Sequence, residues 1–291
     1  MNLSSHWYKA AGASIVAGAL AARYVAKWRR NRSLRFNDQE SRAPSGGRYF
    51  IGLDLTNPTA KTRRPCDVAV LTPELDCIFS LWDYHEEGSG IVPPVALGRS
   101  FLLAVDGPQG LAAGEDATMR ESERAVNVPG RTPYEFPPAG KPYAGFITGS
   151  VKLFYHLVKS GSRFRLLGLE DVPAHEANLM EVFPAAGWKL FAGRGRLPRK
   201  NTVEGREARY AALKRCGVGF PAGPLPTDDQ LDAAMAAWIG YRFSHGQAVI
   251  EGVAPWVDTE HSVIREGYIV QALPTSEGTM SDEPEAPIAP V

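Results

Sequence analysis

At 291 residues, with 44% hydrophobic and 22% charged side chains, the chain has the apolar content of a core-forming protein and is long enough for one large domain or two small ones. Its zero formal charge conceals an asymmetry: residues 1–37 hold Lys9, Arg23, Lys27, Arg29, Arg30, Arg32 and Arg35 and no acid, so the remainder is net negative. That balance gives no support for a generic nucleic-acid binder. Three cysteines without a CxxC pair argue against a disulfide framework or zinc site and favour a reducing, cytoplasmic setting.

Between Lys9 and Arg23 runs AAGASIVAGALAA, shorter than the roughly 20 apolar residues a spanning helix needs. The KWRRNR that follows does not suit a signal peptide. Residues 1–47 therefore read as a basic extension and linker, poorly ordered or partly helical and ending in DQESRAPSGG. Membrane contact through residues 9–35 stays open as an interfacial alternative. The folded domain is expected over 48–270. Four acids, several prolines and no base make 271–291 an acidic, disordered tail.

Within the domain, YFIGLD (49–54), DVAVLT (67–72) and LDCIFSLW (75–82) are short apolar runs separated by turn-sized gaps, which predicts three consecutive antiparallel strands. Phe101–Asp106 is continuously apolar up to its acid, as in a strand buried on both faces. Residues 107–147 are rich in Pro and Gly and read as a long irregular insertion. An amphipathic helix is expected over 149–160, with further strands at Arg163–Leu169 and Leu179–Phe183. A helix over Glu204–Cys216 should stop at Gly217, and Thr227 is a natural N-cap for a helix running to about Phe243. No helix or strand is expected beyond it. The expected fold is α/β: a ribonuclease H-like mixed sheet, three antiparallel strands followed by parallel ones, with flanking helices.

Four acidic positions carry the chemistry. Asp54, Asp106 and Glu181 end or interrupt apolar strands, and Asp229 with Asp232 shares one face of the last helix. A carboxylate among apolar neighbours is costly unless paired or bound to a cation. No base lies beside the first three in the sequence, which points to one shared site for a hard cation, Mg²⁺ or Mn²⁺. Taken singly, each acid is also explained by solvent exposure or helix capping. Lys189, Arg194, Arg196, Arg199, Lys200, Arg206 and Arg209 form a basic stretch able to neutralise phosphates or to stay a solvated face. Arg120 and Arg124, four apart on a short helical stretch, could do the same. No GxGxxG, P-loop or GxSxG pattern occurs.

FIGLDL, AVDGP followed by Arg120 and Arg124, MEVFPAA, KNTVEGREARYAAL and DDQLDAAMAA together resemble the DUF429 family, over about residues 49–251. Its members are expected to be nucleases of the ribonuclease H-like superfamily. The DxxDA of Asp229, Asp232 and Ala233 is also similar to the C-terminal helix of Holliday-junction resolvases. The LTNP after the first motif departs from the small-residue turn more usual there. The resemblance implies metal ligands at Asp54, Asp106 and Asp232, with Glu181 or Asp229 completing the set, and phosphate contacts by Lys200 and Arg206.

The leading expectation is a metal-dependent nuclease on DNA or RNA, without organic cofactor. Asp54 would bridge two ions, Asp106 and Asp232 would complete one each, and Glu181 would join the catalytic acids. Actin- or sugar-kinase-like phosphotransfer on the same fold is a second reading, and a non-catalytic binding protein a third.

Overall fold

The computed structural model describes residues 47–128, 131–140, 142–159, 162–192 and 196–274. The basic extension, apart from Gly47, and residues 275–291 of the expected tail lie outside the described residues.

Among the described residues seven strands form one mixed sheet in the order β3-β2-β1-β4-β5-β7-β6. β1 (Tyr49–Asp54), β2 (Cys66–Leu71) and β3 (Cys77–Trp82) form the expected antiparallel series. β4 (Phe101–Asp106) returns parallel to β1, in a register that sets Asp54 opposite Asp106. Helix α1 (Glu121–Val126) is a short element within the predicted insertion. α2 (Ala144–Val158) begins earlier than the amphipathic pattern suggests. β5 (Leu179–Val182) lies parallel to β4, and Pro184 opens the single-turn helix α3 (Pro184–Gly187). α4 (Val203–Arg215) is capped by the Thr202 hydroxyl, which accepts from the Gly205 amide at 3.0 Å. α5 (Asp228–Ser244) starts at a capping box between Thr227 and Gln230. β6 (Ala248–Asp258) and β7 (Val263–Ala272) close the sheet as an antiparallel hairpin, with β7 parallel to β5.

Two sequence expectations need correction here. Residues 163–169 are not a strand: only a bridge from Leu166 to Leu179 forms. Instead, the Asn178 side chain accepts from the Arg165 amide and donates to the Arg163 carbonyl. Gly168, Glu170 and Asp171 at positive φ then turn the chain away. The hairpin β6–β7 was not expected at all. Pro255 and Gly252 argue against a strand, but β6 is the sheet edge, and a register shift between Val253 and Trp256 accommodates the proline. In β7 the buried Arg265 and Glu266 break the apolar run. β7 ends at Ala272, close to the expected end of the domain.

Strand alternation sorts the core into two layers. Phe50, Ala69, Leu102, Ala104, Met180 and Val182 pack with α5 on one face. Ile51, Leu53, Val68, Val70, Leu103 and Val105 pack with Leu153, Phe154 and Leu157 of α2 on the other. The small residues of α5 let it lie directly on the sheet. A Cβ added at Gly52 would overlap the Ala233 carbonyl and the Ala237 amide, so β1 and α5 approach at backbone distance.

Candidate functional site

Asp54 follows Gly52 by two positions on β1 and Asp106 follows Ala104 by two on β4, so both carboxylates project on the α5 face. Their strands are adjacent and parallel, and the two acids are register partners at the C-terminal ends. α5 presents Asp232 one turn into the helix, 7% exposed. A capped helix start therefore delivers the third acid to the end of the sheet where the first two stand.

The electrostatics report this convergence. Burial, then Asp106, Asp232 and Asp229, push the Asp54 carboxyl well above the usual carboxylate range, against the pull of Lys200. Burial and Asp232 raise Asp106 to about 8, again opposed by Lys200. Asp232 is held from both sides. The Trp188 indole donates to Oδ1 at 2.6 Å, and the Lys200 ammonium donates to Oδ2 at 2.7 Å. Lys200 also lies 3.7 Å from carboxylate oxygens of Asp228 and Asp229. Burial works against its charge, but Asp232 first, with Asp54 and Asp229, outweighs that and raises its pKa. Arg64 pairs with the other oxygen of Asp229 at 3.0 Å.

Glu181 is placed differently. Met180 and Val182 face α5, so Glu181 between them faces the opposite layer. There it accepts two 2.7 Å hydrogen bonds from the Arg120 guanidinium and one from the Gln109 amide at 2.9 Å. Glu123 and Thr132 complete the network around Arg120, which is 0% exposed. Burial pushes Glu181 up while Arg120 pulls it down, and the two carboxylates hold Arg120 charged against its own burial. No base lies beside Glu181 in the sequence, and its partner Arg120 arrives from 61 residues away. The same contacts commit Arg120 to Glu181 and Glu123, away from solvent. Arg124 forms an exposed 2.6 Å pair with Glu121, of a kind that contributes little to stability.

A family description, "Protein of unknown function (DUF429)", matches residues 95–255. The chain belongs to the DUF429 family. No curated protein and no solved structure matches. The matched segment of this DUF429 chain runs from just before β4 into β6 and includes Asp106, Glu181, Lys200 and Asp232. Asp54 precedes it and joins the site through sheet pairing. The mixed sheet with flanking helices is consistent with a ribonuclease H-like arrangement. Among the described residues no helix is long and apolar enough to cross a membrane.

As a candidate metal site the DUF429 cluster has the donors but not the closure. Asp54, Asp106 and Asp232 offer only hard carboxylate oxygens, the set Mg²⁺ or Mn²⁺ takes. Yet among the described residues no group of three His, Cys, Asp or Glu side chains is arranged to hold an ion. The ammonium of Lys200 instead stands beside Asp232, Asp228 and Asp229.

Four further residues stand at this end of the sheet: Asp67, Trp188, Arg64 and Asp228. Asp67, second in β2, lies opposite Asp54, and burial and Asp229 raise its carboxyl. Strand period alone, applied to DVAVLT, puts Asp67 on the face of Ala69. Trp188, Arg64 and Asp228 carried no such signal. Of the basic stretch, Arg209 turns inward, donating to the Pro198 and Gly205 carbonyls and lying over the Trp188 ring at 5.5 Å. Arg206 is half-buried on α4. Beside Asp106 and Glu181 a cavity of about 170 Å³ is lined by Pro108, Tyr143, Phe146 and Phe183.

Proposed function

We propose that this DUF429 chain is a divalent-metal-dependent phosphodiesterase acting on nucleic acid, in the ribonuclease H-like manner. The observation that carries the reading is the in-register pair Asp54 and Asp106 at the ends of adjacent parallel strands, facing Asp232 on α5. Asp54 and Asp106, driven toward neutrality by burial and by the neighbouring Asp232, constitute an arrangement that a cation stabilises. Asp54, Asp106 and Asp232 would hold the ion, with Asp229 beside them. When bound, Mg²⁺ or Mn²⁺ would supply a water of lowered pKa and charge stabilisation for the leaving oxygen.

The chain's own groups do the rest. Trp188 fixes the orientation of Asp232 through Oδ1. Glu181, pinned by Arg120, accepts from Gln109 and so holds the turn that follows Asp106. We assign Glu181 and Arg120 this positioning part. Lys200 and Arg206 are the bases offered to phosphate. The buried Cys66 and Cys77 are thiols, which supports a reducing, cytoplasmic setting.

The test is cleavage of a panel of single-stranded, duplex and branched DNA and RNA with Mg²⁺ or Mn²⁺, alongside EDTA controls and Asp54→Asn. Cleavage by the wild type that needs the ion and is lost in Asp54→Asn supports the reading. No cleavage together with no ion-induced rise in Tm would sink it and leave a binding protein. A Tm rise with ATP rather than with oligonucleotide would favour phosphotransfer instead.

A further inference from the structure

The Asp232 carboxylate has two oxygens and two uses. Oδ1 is taken by the buried indole of Trp188 at 2.6 Å, which leaves Oδ2 as the oxygen that can turn toward Asp54 and Asp106. Lys200 holds that oxygen at 2.7 Å. Its ammonium is also within 3.7 Å of Asp228 and Asp229. Lys200 belongs to the segment that leads into α4, and its side chain is 48% exposed. It therefore has a route out to solvent, unlike the wholly buried Arg120. An ammonium and a divalent cation cannot share one carboxylate oxygen at short range without strong repulsion.

We infer that Lys200 is a tethered counter-ion competing with a divalent cation for the Asp232 carboxylate, so that ion binding and release of Lys200 are one event. The inference rests on the metal-dependent reading of the same site. It accounts for a carboxylate cluster that is chemically suited to a cation and yet not closed around one. It also changes the part expected of Lys200 from sequence. Contact with a phosphate and contact with Asp232 become alternatives for one side chain, and the base is set free when the ion arrives. Ion affinity of the free protein is lowered by the work of displacing Lys200 and recovered when a phosphate receives it.

The experiment is calorimetric titration of the full-length protein with Mn²⁺, without substrate, for the wild type, Lys200→Met and Lys200→Arg. Tm with and without Mn²⁺ is read in parallel. Lys200→Met should bind Mn²⁺ about tenfold or more tightly, the consequence of removing one unit of positive charge next to the ion. Its ion-free form should melt lower than wild type and gain more on Mn²⁺ addition, which also shows that the variant is folded. Lys200→Arg should bind as the wild type does. Binding only by Lys200→Met would support the competition in its strongest form. Equal or weaker binding by a folded Lys200→Met, with the wild type binding normally, overturns the competition and leaves the proposed function standing. No binding by any of the three overturns both.

Discussion

Arg120→Met separates a structural role for the Glu181 network from a ligand role in a direct way. In the wild type the guanidinium is 0% exposed and Glu181 and Glu123 are 4% and 3% exposed. Arg120 donates to both oxygens of Glu181 at 2.7 Å and to Glu123 at 3.3 Å. Methionine fills much of the volume but leaves two buried carboxylates facing one another. Breaking a buried pair by removing one partner costs about 3–5 kcal/mol. In a domain of this size 1 kcal/mol is worth about 2–4 °C, so Tm should fall by roughly 6–20 °C. The loss should depend on pH with a known sign. Without Arg120, Glu181 keeps the burial that raises its pKa and loses the group that lowers it. An acid whose folded pKa is raised contributes stability below its unfolded value, near 4.3, and loses it as pH rises through the folded value. The variant should thus sit closest to wild type at pH 4–5 and fall away toward pH 8. Adding Glu181→Gln should recover part of the loss at neutral pH. Urea melts across that pH range provide the assay. A loss under about 1 kcal/mol, or one independent of pH, would refute the account of Glu181 as a partnered structural acid.

Asp54→Asn should raise the Tm of the ion-free protein at pH 8. Asp54 is held well above its ordinary range and Asp106 is raised to about 8, so their stability contribution is present below about pH 4 and lost as pH rises through those values. A variant that melts lower than wild type at pH 8 but not at pH 5 would contradict the mutual repulsion. Gly52→Ala should be strongly destabilising despite its single added methyl group, because the Cβ meets the α5 backbone at Ala233 and Ala237. Unfolding midpoints decide this, and a change within about 0.5 kcal/mol would mean that α5 stands farther from β1.

The local chemistry of the chain was sufficient for several elements. Thr227 followed by Gln230 specifies the start of α5, and the apolar run ending in Asp106-Gly107-Pro108 specifies β4, since caps and breakers act within a few residues. Strand period places Asp54 and Asp106 on one face once both strands are recognised. The β6–β7 hairpin was illegible, because a bulge absorbs Pro255 and distant partners satisfy Arg265 and Glu266. The fate of each charge was equally beyond local reading. Glu181 and Asp106 look alike as acids in apolar strands, yet one alternates toward Arg120 and the other toward α5. Lys200 reads as one of seven bases, and only the fold brings it 2.7 Å from Asp232. Sequence by itself determined which residues could be strand-end acids, helix caps and bases, because those are properties of short segments. Tertiary structure alone decided which acid meets which base, because burial and pairing depend on residues 32 to 61 positions apart being brought within hydrogen-bonding distance.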